Sequence, residues 1–65
     1  MEHVLEVVGE DTHEFEVSGE TYADLLEAID LNTHEVVVLV DGTPVPEDRE
    51  VLEARARAVP ILRGG

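Results

Sequence analysis

The sequence predicts an α+β fold in which one helix lies across one face of a mixed sheet of four or five strands. Two short strand-like segments open the chain, a single helical stripe follows, and further strand-like segments close it. A chain of 65 residues has room for one small domain only. The order β-β-α-β-β-β packs most economically as one sheet under the helix, with the first and last strands side by side in the middle.

The first two predicted strands form a hairpin. Residues 3–8 are rich in valine and leucine, and residues 13–17 alternate between acidic and apolar side chains. Paired residues lie on the same face of a hairpin, so the apolar residues of the two strands must pair with each other to keep the acidic side chains out of the core. Because the core-facing apolar positions are odd-numbered in both strands, the numbers of two paired residues must have an even sum. This predicts Val7 opposite Phe15, with residues 10–12 forming a three-residue turn.

The helix is predicted to begin after Thr21. This residue is a favourable N-cap, and Asp24 follows three residues later in a variant of the capping-box pattern. Apolar side chains then recur at the i, i+3, i+4 and i+7 positions of one helical face. The core-facing stripe consists of Tyr22, Leu25, Leu26 and Ile29.

Two strands are expected directly after the helix. Residues 35–40 form an almost continuous run of valine and leucine, which stops at the turn residues Asp41 and Gly42. The proline-flanked segment 43–46 suits the edge of a sheet, because proline cannot donate a ladder hydrogen bond.

The end of the chain is predicted to hold the last strand. Residues 47–53 are expected to be an acidic connector that is solvated over residues 47–50. Residues 54–62 are expected to be a strand, with Pro60 marking where it leaves the sheet. The predicted domain therefore covers residues 1–62. A flexible Arg-Gly-Gly tail is expected at residues 63–65.

The composition excludes several classes of function. Sixteen acidic and four basic residues give a net charge of −12, which disfavours direct binding to a nucleic-acid backbone. No apolar run approaches the roughly 18 residues of a membrane span, and no signal peptide is predicted. Cysteine is absent, so disulfides and thiol chemistry are excluded.

The acidic residues are spread along the whole chain, and the four bases are all arginine. A scattered acidic coat without lysine is typical of a protein from a cytoplasm of very high salt, where screening weakens self-repulsion. A merely acidic protein from an ordinary cytoplasm is the alternative. In either case the acidity describes the habitat and not the function.

No catalytic or metal site is predicted. The chain has no nucleophile-base pair and no cofactor motif, so we do not expect an enzyme. In the predicted register His13 lies opposite Gly9, about 20 Å from His3 at the spacing of a strand. That distance is too long for shared metal ligation, and His34 lies beyond the helix. Histidines that are solvated or lie at the rim of the core are expected, with no bound metal or cofactor.

A resemblance to known proteins rests on residues 7–12, 21–25 and 38–48 and on the Gly64-Gly65 pair. Together with the element order, these segments resemble the β-grasp fold of ubiquitin and its relatives. The resemblance is closest to the small archaeal modifier proteins and to the sulfur carriers of molybdopterin and thiamine synthesis.

The resemblance implies that the chain is a substrate and carrier. An activating enzyme of the ubiquitin type would consume ATP to adenylate the carboxylate of Gly65. The acyl group would then form an isopeptide bond with a target lysine, or take up sulfur as a thiocarboxylate for tRNA thiolation or molybdopterin-type synthesis. The implied partners are the activating enzyme, target proteins and a sulfurtransferase or tRNA-thiolation enzyme. A cytoplasmic monomer is expected.

The tail residues suit this role chemically. Gly64 and Gly65 lack a Cβ atom, so their backbone can enter a slot too narrow for other residues. Arg63 offers a charged donor fork to an acidic lip of the enzyme. Because the sequence ends at Gly65, no protease is expected to be needed to expose the pair. A ubiquitin-like binding module that never uses its terminus is the alternative.

A partner-docking patch is predicted on one face of strands three and five. Alternation places Val37 and Leu39 with Val59 and Ile61, beside Arg57. In ubiquitin-like proteins the matching face docks partners. The reverse assignment, with the strand-three residues in the core, fits the local pattern about as well. We favour the patch because the alanine-rich face of strand five suits close approach of the helix.

Overall fold

The structure is a computed structural model that describes residues 1–61, so the predicted tail at residues 63–65 lies outside the described residues. The elements follow the predicted order, with one additional 3₁₀ turn between helix and sheet. They are β1 (Glu2–Val7), β2 (Thr12–Glu16), α1 (Tyr22–Ala28), the 3₁₀ turn (Thr33–Glu35), β3 (Val36–Val40), β4 (Thr43–Val45) and β5 (Arg55–Pro60).

The five strands form one mixed sheet in the order β2-β1-β5-β3-β4. The first and last strands are parallel neighbours in the middle, and the other pairs are antiparallel. This arrangement confirms the central pairing and the β-grasp topology expected from the sequence.

The core lies between α1 and one face of the sheet. Helix residues Tyr22, Leu25 and Leu26 are buried, and Ile29 packs against them half-buried, as the stripe predicts. The sheet and the loops add the buried side chains of Leu5, Val7, Val17, Val38, Val51, Ala56 and Ala58.

The β1–β2 hairpin has the predicted faces but a different register. His3 and not Val7 lies opposite Phe15, so the pairing predicted from the sequence is wrong. The paired residue numbers still have an even sum. Val17 therefore faces the core, while Glu14 on the other face is exposed.

The hairpin loop lies two residues earlier than predicted. The Val7 N–H donates to the Asp11 carbonyl at 3.4 Å, so the three-residue loop is 8–10 and not 10–12. Gly9 adopts a φ of 85° within it, a left-handed conformation that glycine reaches without steric cost. The need for this conformation inside the turn explains the shift.

The N-terminus of α1 has the predicted capping box. The Thr21 hydroxyl accepts from the Asp24 N–H at 3.3 Å, and the Asp24 carboxylate accepts from the Thr21 N–H at 2.9 Å. The unpredicted 3₁₀ turn begins after Asn32, whose side-chain oxygen accepts from the His34 N–H at 2.9 Å. No helix within residues 1–61 is long and apolar enough to cross a membrane.

The connector between β4 and β5 is fastened to the start of α1, which the sequence did not predict. The Tyr22 N–H donates to the Arg49 carbonyl at 3.1 Å, and the Ala23 N–H donates to the Glu47 carbonyl at 2.7 Å. The first N–H groups of a helix have no partner within the helix, and here the connector supplies acceptors for two of them. Val51 of the connector is buried in the core.

The turns and ends of the last strands agree with the sequence. Asp41 and Gly42 form a two-residue β3–β4 turn with φ values of 52° and 78°. Pro44 lies on β4 at the sheet edge. Pro60 is the last residue of β5, opposite Val36, which confirms that the strand ends there.

Candidate functional site

The predicted reactive tail begins just after a firmly held point of the chain. Ile61, the residue after β5, donates its N–H to the Glu35 carbonyl at 2.8 Å. Arg63, Gly64 and Gly65 lie outside the described residues. Four residues separate Ile61 from the last carboxylate, and four residues span at most about 14 Å. The fold therefore limits where the carboxylate of Gly65 can lie relative to the sheet.

The sheet face opposite α1 brings the predicted patch residues together. Val37 pairs with Val59, and Leu39 pairs with Arg57, across β3 and β5. Their apolar side chains are half-buried, and Ile61 is 44% exposed. We call the surface formed by these five residues the β3–β5 patch. The reverse assignment, with Leu39 in the core, does not occur, because Val38 and the alanines of β5 face the helix.

The patch lies beside the arginines of β5. Arg57 Nη2 lies 3.5 Å from Glu6 Oε1, and both side chains are largely exposed, so this ion pair contributes little to stability. Arg55 takes part in none of the ion pairs within residues 1–61. An open cavity of about 270 Å³ adjoins the patch here. Its lining is Glu6, Leu39, Asp41, Gly42, Arg55, Ala56 and Arg57.

The sequence analysis did not single out Arg55. The signal for it was present, because the alternation Arg-Ala-Arg-Ala along β5 places both arginines on the face away from the buried alanines. The two arginines balance the acidic side chains of Glu6 and Asp41 in the cavity lining. This part of an otherwise acidic protein therefore carries little net charge, and it adjoins the apolar side chains of the patch.

A second cluster of polar side chains joins the connector, α1 and β1. The Tyr22 hydroxyl donates to Glu53 Oε1 at 2.7 Å, and Arg49 Nη2 lies 2.5 Å from Glu53 Oε2. His3 Nδ1 donates to the Glu53 carbonyl at 2.6 Å, because a carbonyl oxygen can only accept. His3 Nε2 is buried, and no group of residues 1–61 forms a hydrogen bond with it.

The electrostatics of this cluster favour a structural role. The hydrogen bond from Tyr22 lowers the pKa of the Glu53 carboxyl, and Arg49 lowers it further against the opposing effect of desolvation. Burial raises the pKa of the Tyr22 hydroxyl well above its ordinary value. Tyr22 and His3 are both 0% exposed, so no substrate reaches them. The cluster holds the connector, and thereby the start of β5, in place.

The structure corrects the prediction for the histidines. His13 lies opposite Leu5 and not opposite Gly9, so it is a diagonal neighbour of His3 and not about 20 Å away. His3 is fully buried and not solvated, His13 is half-buried and His34 is exposed. Within residues 1–61 no group of three or more potential ligands is placed to hold a metal ion.

Comparison with known proteins shows the family. Residues 1–63 match the family Small archaeal modifier protein 2. The chain is 52% identical over 66 residues to the Small archaeal modifier protein 2 of Haloferax volcanii, and the match covers 100% of both chains. The chain belongs to the small archaeal modifier protein 2 family. This family consists of ubiquitin-like modifiers and is not itself a family of catalytic enzymes.

Structural similarity agrees with this family assignment. A crystal structure of the Haloferax volcanii small archaeal modifier protein 2 superposes with a TM-score of 0.72 at 54% identity, covering 95% of this chain and 91% of the other. An uncharacterized protein of Archaeoglobus fulgidus is 36% identical over 52 residues, which cover 80% of this chain and 78% of that protein. The sheet and helix of this chain therefore have the same β-grasp fold as the solved family member.

Proposed function

We propose that the protein is a ubiquitin-like modifier and sulfur carrier whose reactive group is the carboxylate of Gly65. A carboxylate is a poor acyl donor until it becomes a mixed anhydride. In an activating enzyme, one oxygen of the Gly65 carboxylate attacks the α-phosphate of ATP, and the bond to pyrophosphate breaks. The product is an acyl adenylate, and ATP is consumed by the partner without binding to this chain as a cofactor.

Two fates are proposed for the adenylate. The amine of a target lysine attacks the acyl carbon, an isopeptide bond forms, and AMP leaves while the amine loses a proton. Alternatively, the outer sulfur of a sulfurtransferase persulfide attacks the acyl carbon and displaces AMP. A thiol then cleaves the S–S bond, which leaves a thiocarboxylate on Gly65 and a disulfide on the sulfurtransferase. That sulfur would serve tRNA thiolation or molybdopterin-type synthesis. We place both reactions in the cytoplasm, at high salt.

The observation that carries this proposal is the end of β5. The strand lies in the middle of the sheet between β1 and β3, and the Ile61 N–H donates to the Glu35 carbonyl of the 3₁₀ turn just before β3. Four residues then lead to Gly65. A rigid body with a short reach suits presentation of the carboxylate to another protein's ATP site, from which water must be excluded.

We propose that the activating enzyme docks on the β3–β5 patch. The half-buried valines and Leu39 offer apolar area, and Arg57 offers a charged donor at its border. Partly exposed apolar side chains ringed by charge are typical of interaction surfaces. Two residues of the patch, Arg57 and Val59, lie on β5, the strand that the tail follows. One enzyme can therefore bind the sheet and receive the carboxylate.

Mass spectrometry of the C-terminus tests the reaction. The full chain is incubated with ATP, a sulfur source and the activating enzyme, with a lysine-bearing protein present or absent. An adenylate or thiocarboxylate at Gly65 is expected, together with an adduct on the acceptor. The matched control lacks Gly64 and Gly65. If this truncated chain retains the cellular function, the protein is instead the non-covalent binding module.

Two leucines test the docking surface. We expect Leu39→Ala to raise the concentration of this protein needed for half-maximal ATP–pyrophosphate exchange several-fold. Leu52→Ala is the control, because Leu52 is 62% exposed and lies on the connector away from the patch. Equal effects of the two substitutions would reject docking at the patch while leaving the chemistry of the tail intact.

Deletion in cells separates the two fates of the adenylate. High-mass bands in a blot of tagged protein report conjugation, and tRNA thiolation in the deletion strain reports sulfur transfer. Absence of the bands, together with loss of thiolation on deletion, would indicate a dedicated sulfur carrier. Presence of the bands, together with loss of thiolation on deletion, is expected for the dual role proposed here.

A further inference from the structure

We propose that this modifier is attached to its targets as single units that are not extended by further copies. The inference rests on the proposed isopeptide function and concerns the acceptor side of that reaction. It follows from the amines that the chain offers, from the contacts of Met1, and from the distance between Met1 and Ile61 along the sheet.

No side chain of the protein can accept the acyl group as an amine. The 65 residues contain no lysine, and the four bases are all arginine. Amide formation needs an amine whose lone pair attacks the acyl carbon as AMP leaves. The guanidinium group of arginine stays protonated at physiological pH, so it has no such lone pair to offer.

The α-amine of Met1 is occupied by contacts within the fold. Its nitrogen lies 3.0 Å from Glu16 Oε1 and donates to the Val17 carbonyl at 3.0 Å. Val17 returns the contact, because its N–H donates to the Met1 carbonyl at 2.8 Å. Met1 is thus the last rung of the β1–β2 ladder. Acylation would remove the ammonium charge and break the ion pair with Glu16.

The protein's own tail cannot reach this amine. Val4 pairs with Arg55 in the parallel β1–β5 ladder, so Met1 and Ile61 lie nine positions apart along the strands. Nine positions of extended strand correspond to about 30 Å. The four residues after Ile61 span at most about 14 Å, so self-cyclisation is excluded.

A second copy also meets an unfavourable charge at Met1. Glu2 and Glu16 are paired neighbours in the ladder, and both are exposed beside the amine. An incoming activated copy carries the same net charge of −12. Repulsion between the copies therefore acts against the one remaining amine, and it increases as salt is lowered.

A single-lysine acceptor protein provides the test. With the full chain, activating enzyme and ATP, we expect one adduct that is heavier by one 7.1 kDa unit. Trypsin cleaves after Arg63 and leaves Gly-Gly on the amine that was acylated. This mark is expected on the acceptor lysine only. A second 7.1 kDa step with the mark on Met1, or on any other residue of the modifier, would overturn the proposal.

Two gain-of-function variants complete the test. Arg55→Lys keeps the charge of an exposed strand residue, and Glu27→Lys places an amine on the exposed side of α1. We expect at least one of them to turn the single adduct into a ladder. If neither extends the adduct, a missing amine is not what limits the reaction, and the proposal is wrong.

An enzyme-free measurement separates this inference from the proposed function. Acetylation of Met1 in the folded full chain by a succinimidyl ester is expected to be several-fold slower than in Glu16→Ala. Equal rates would show that the fold does not hold the amine and would overturn the inference. Absence of any adduct on the acceptor, with the acetylation rates as expected, would instead reject the isopeptide function.

Discussion

Glu53 connects three parts of the molecule by itself. Its carboxylate accepts from the Tyr22 hydroxyl of α1 and pairs with Arg49 of the connector, and its carbonyl accepts from His3 of β1. A buried hydroxyl without an acceptor costs about 1–3 kcal/mol. We therefore interpret Glu53 as a residue that holds the connector in place and not as a reactive group.

Replacing Glu53 by glutamine is expected to lower the free energy of unfolding by about 1–2 kcal/mol at pH 7, because hydrogen bonds to a charged group are stronger than those to a neutral one. The folded state lowers the pKa of Glu53, chiefly through the hydrogen bond from Tyr22. The carboxylate therefore stabilises the fold fully above the pKa that Glu53 has in the unfolded chain, and this contribution is lost as pH falls through the lower folded pKa.

Denaturant unfolding of wild type and Glu53→Gln at pH 7 and pH 3, in constant molar salt, measures this difference. The difference in free energy of unfolding between wild type and Glu53→Gln is expected to be smaller at pH 3 than at pH 7. An equal difference at both pH values would show that the charge of Glu53 is not the cause of the stabilisation. Tyr22→Phe serves as the control, because it removes the donor and leaves the ion pair with Arg49.

His3 is expected to be a major packing residue despite its polarity. Its ring is fully buried and meets the Tyr22 ring edge-on, with centroids 5.6 Å apart. His3→Ala should therefore lower the free energy of unfolding by about 3 kcal/mol, as other large-to-small core substitutions do. His34→Ala, at an exposed position, should change it by less than about 0.5 kcal/mol. Equal effects in denaturant unfolding would contradict the burial of His3.

At the scale of elements, the start of α1 depends on two kinds of capping. The Thr21 side chain satisfies one N–H, and connector carbonyls satisfy two more. Thr21→Ala is expected to cost about 1 kcal/mol of stability in denaturant unfolding. Ser18→Ala is the control, since Ser18 hydrogen-bonds through its backbone N–H. No difference between the variants would mean that the connector alone caps the helix.

Local patterns predicted the elements and their faces well. The capping box at Thr21, the turn at Asp41 and Gly42, and the end of β5 at Pro60 depend on neighbouring residues only, and all were confirmed. The register of the first hairpin was not, because alternation fixes which face is buried but not which even step is chosen. The left-handed conformation of Gly9 decides that step.

Tertiary contacts explain what the sequence could not predict at the candidate site. Alternation along β3 and β5 placed Val37 and Leu39 on one face with Val59, where the structure also has them. The docking role of this face stays a prediction. The cluster around Glu53 joins residues 31 and 50 positions apart, and no spacing rule links such distant positions. The same holds for the burial of His3.

At the scale of the whole molecule, few contacts neutralise the acidic charge. Residues 1–61 contain three ion pairs, and the one between Arg57 and Glu6 is long and exposed. The radius of gyration is 11.0 Å, which is shorter than the Debye length of about 30 Å at 0.01 M salt. At this salt concentration the acidic side chains therefore repel one another across the domain. At 1 M salt the Debye length is about 3 Å, and most repulsion is screened.

The protein is therefore expected to unfold, or to melt at a much lower temperature, when salt is lowered from the molar to the millimolar range. A small domain has little stability to spare, and self-repulsion at a net charge of −12 acts directly against compaction. Circular dichroism melts across a salt series measure this melting temperature.

Two exposed acids provide variants for the same measurement. We expect the double substitution Glu14→Gln and Glu27→Gln to weaken the dependence of the melting temperature on salt. The isosteric double substitution Val4→Thr and Val37→Thr changes no charge and should leave that dependence unchanged. An unchanged melting temperature across the series would show that the acidic coat does not depend on screening, and the interpretation of a high-salt habitat would be wrong.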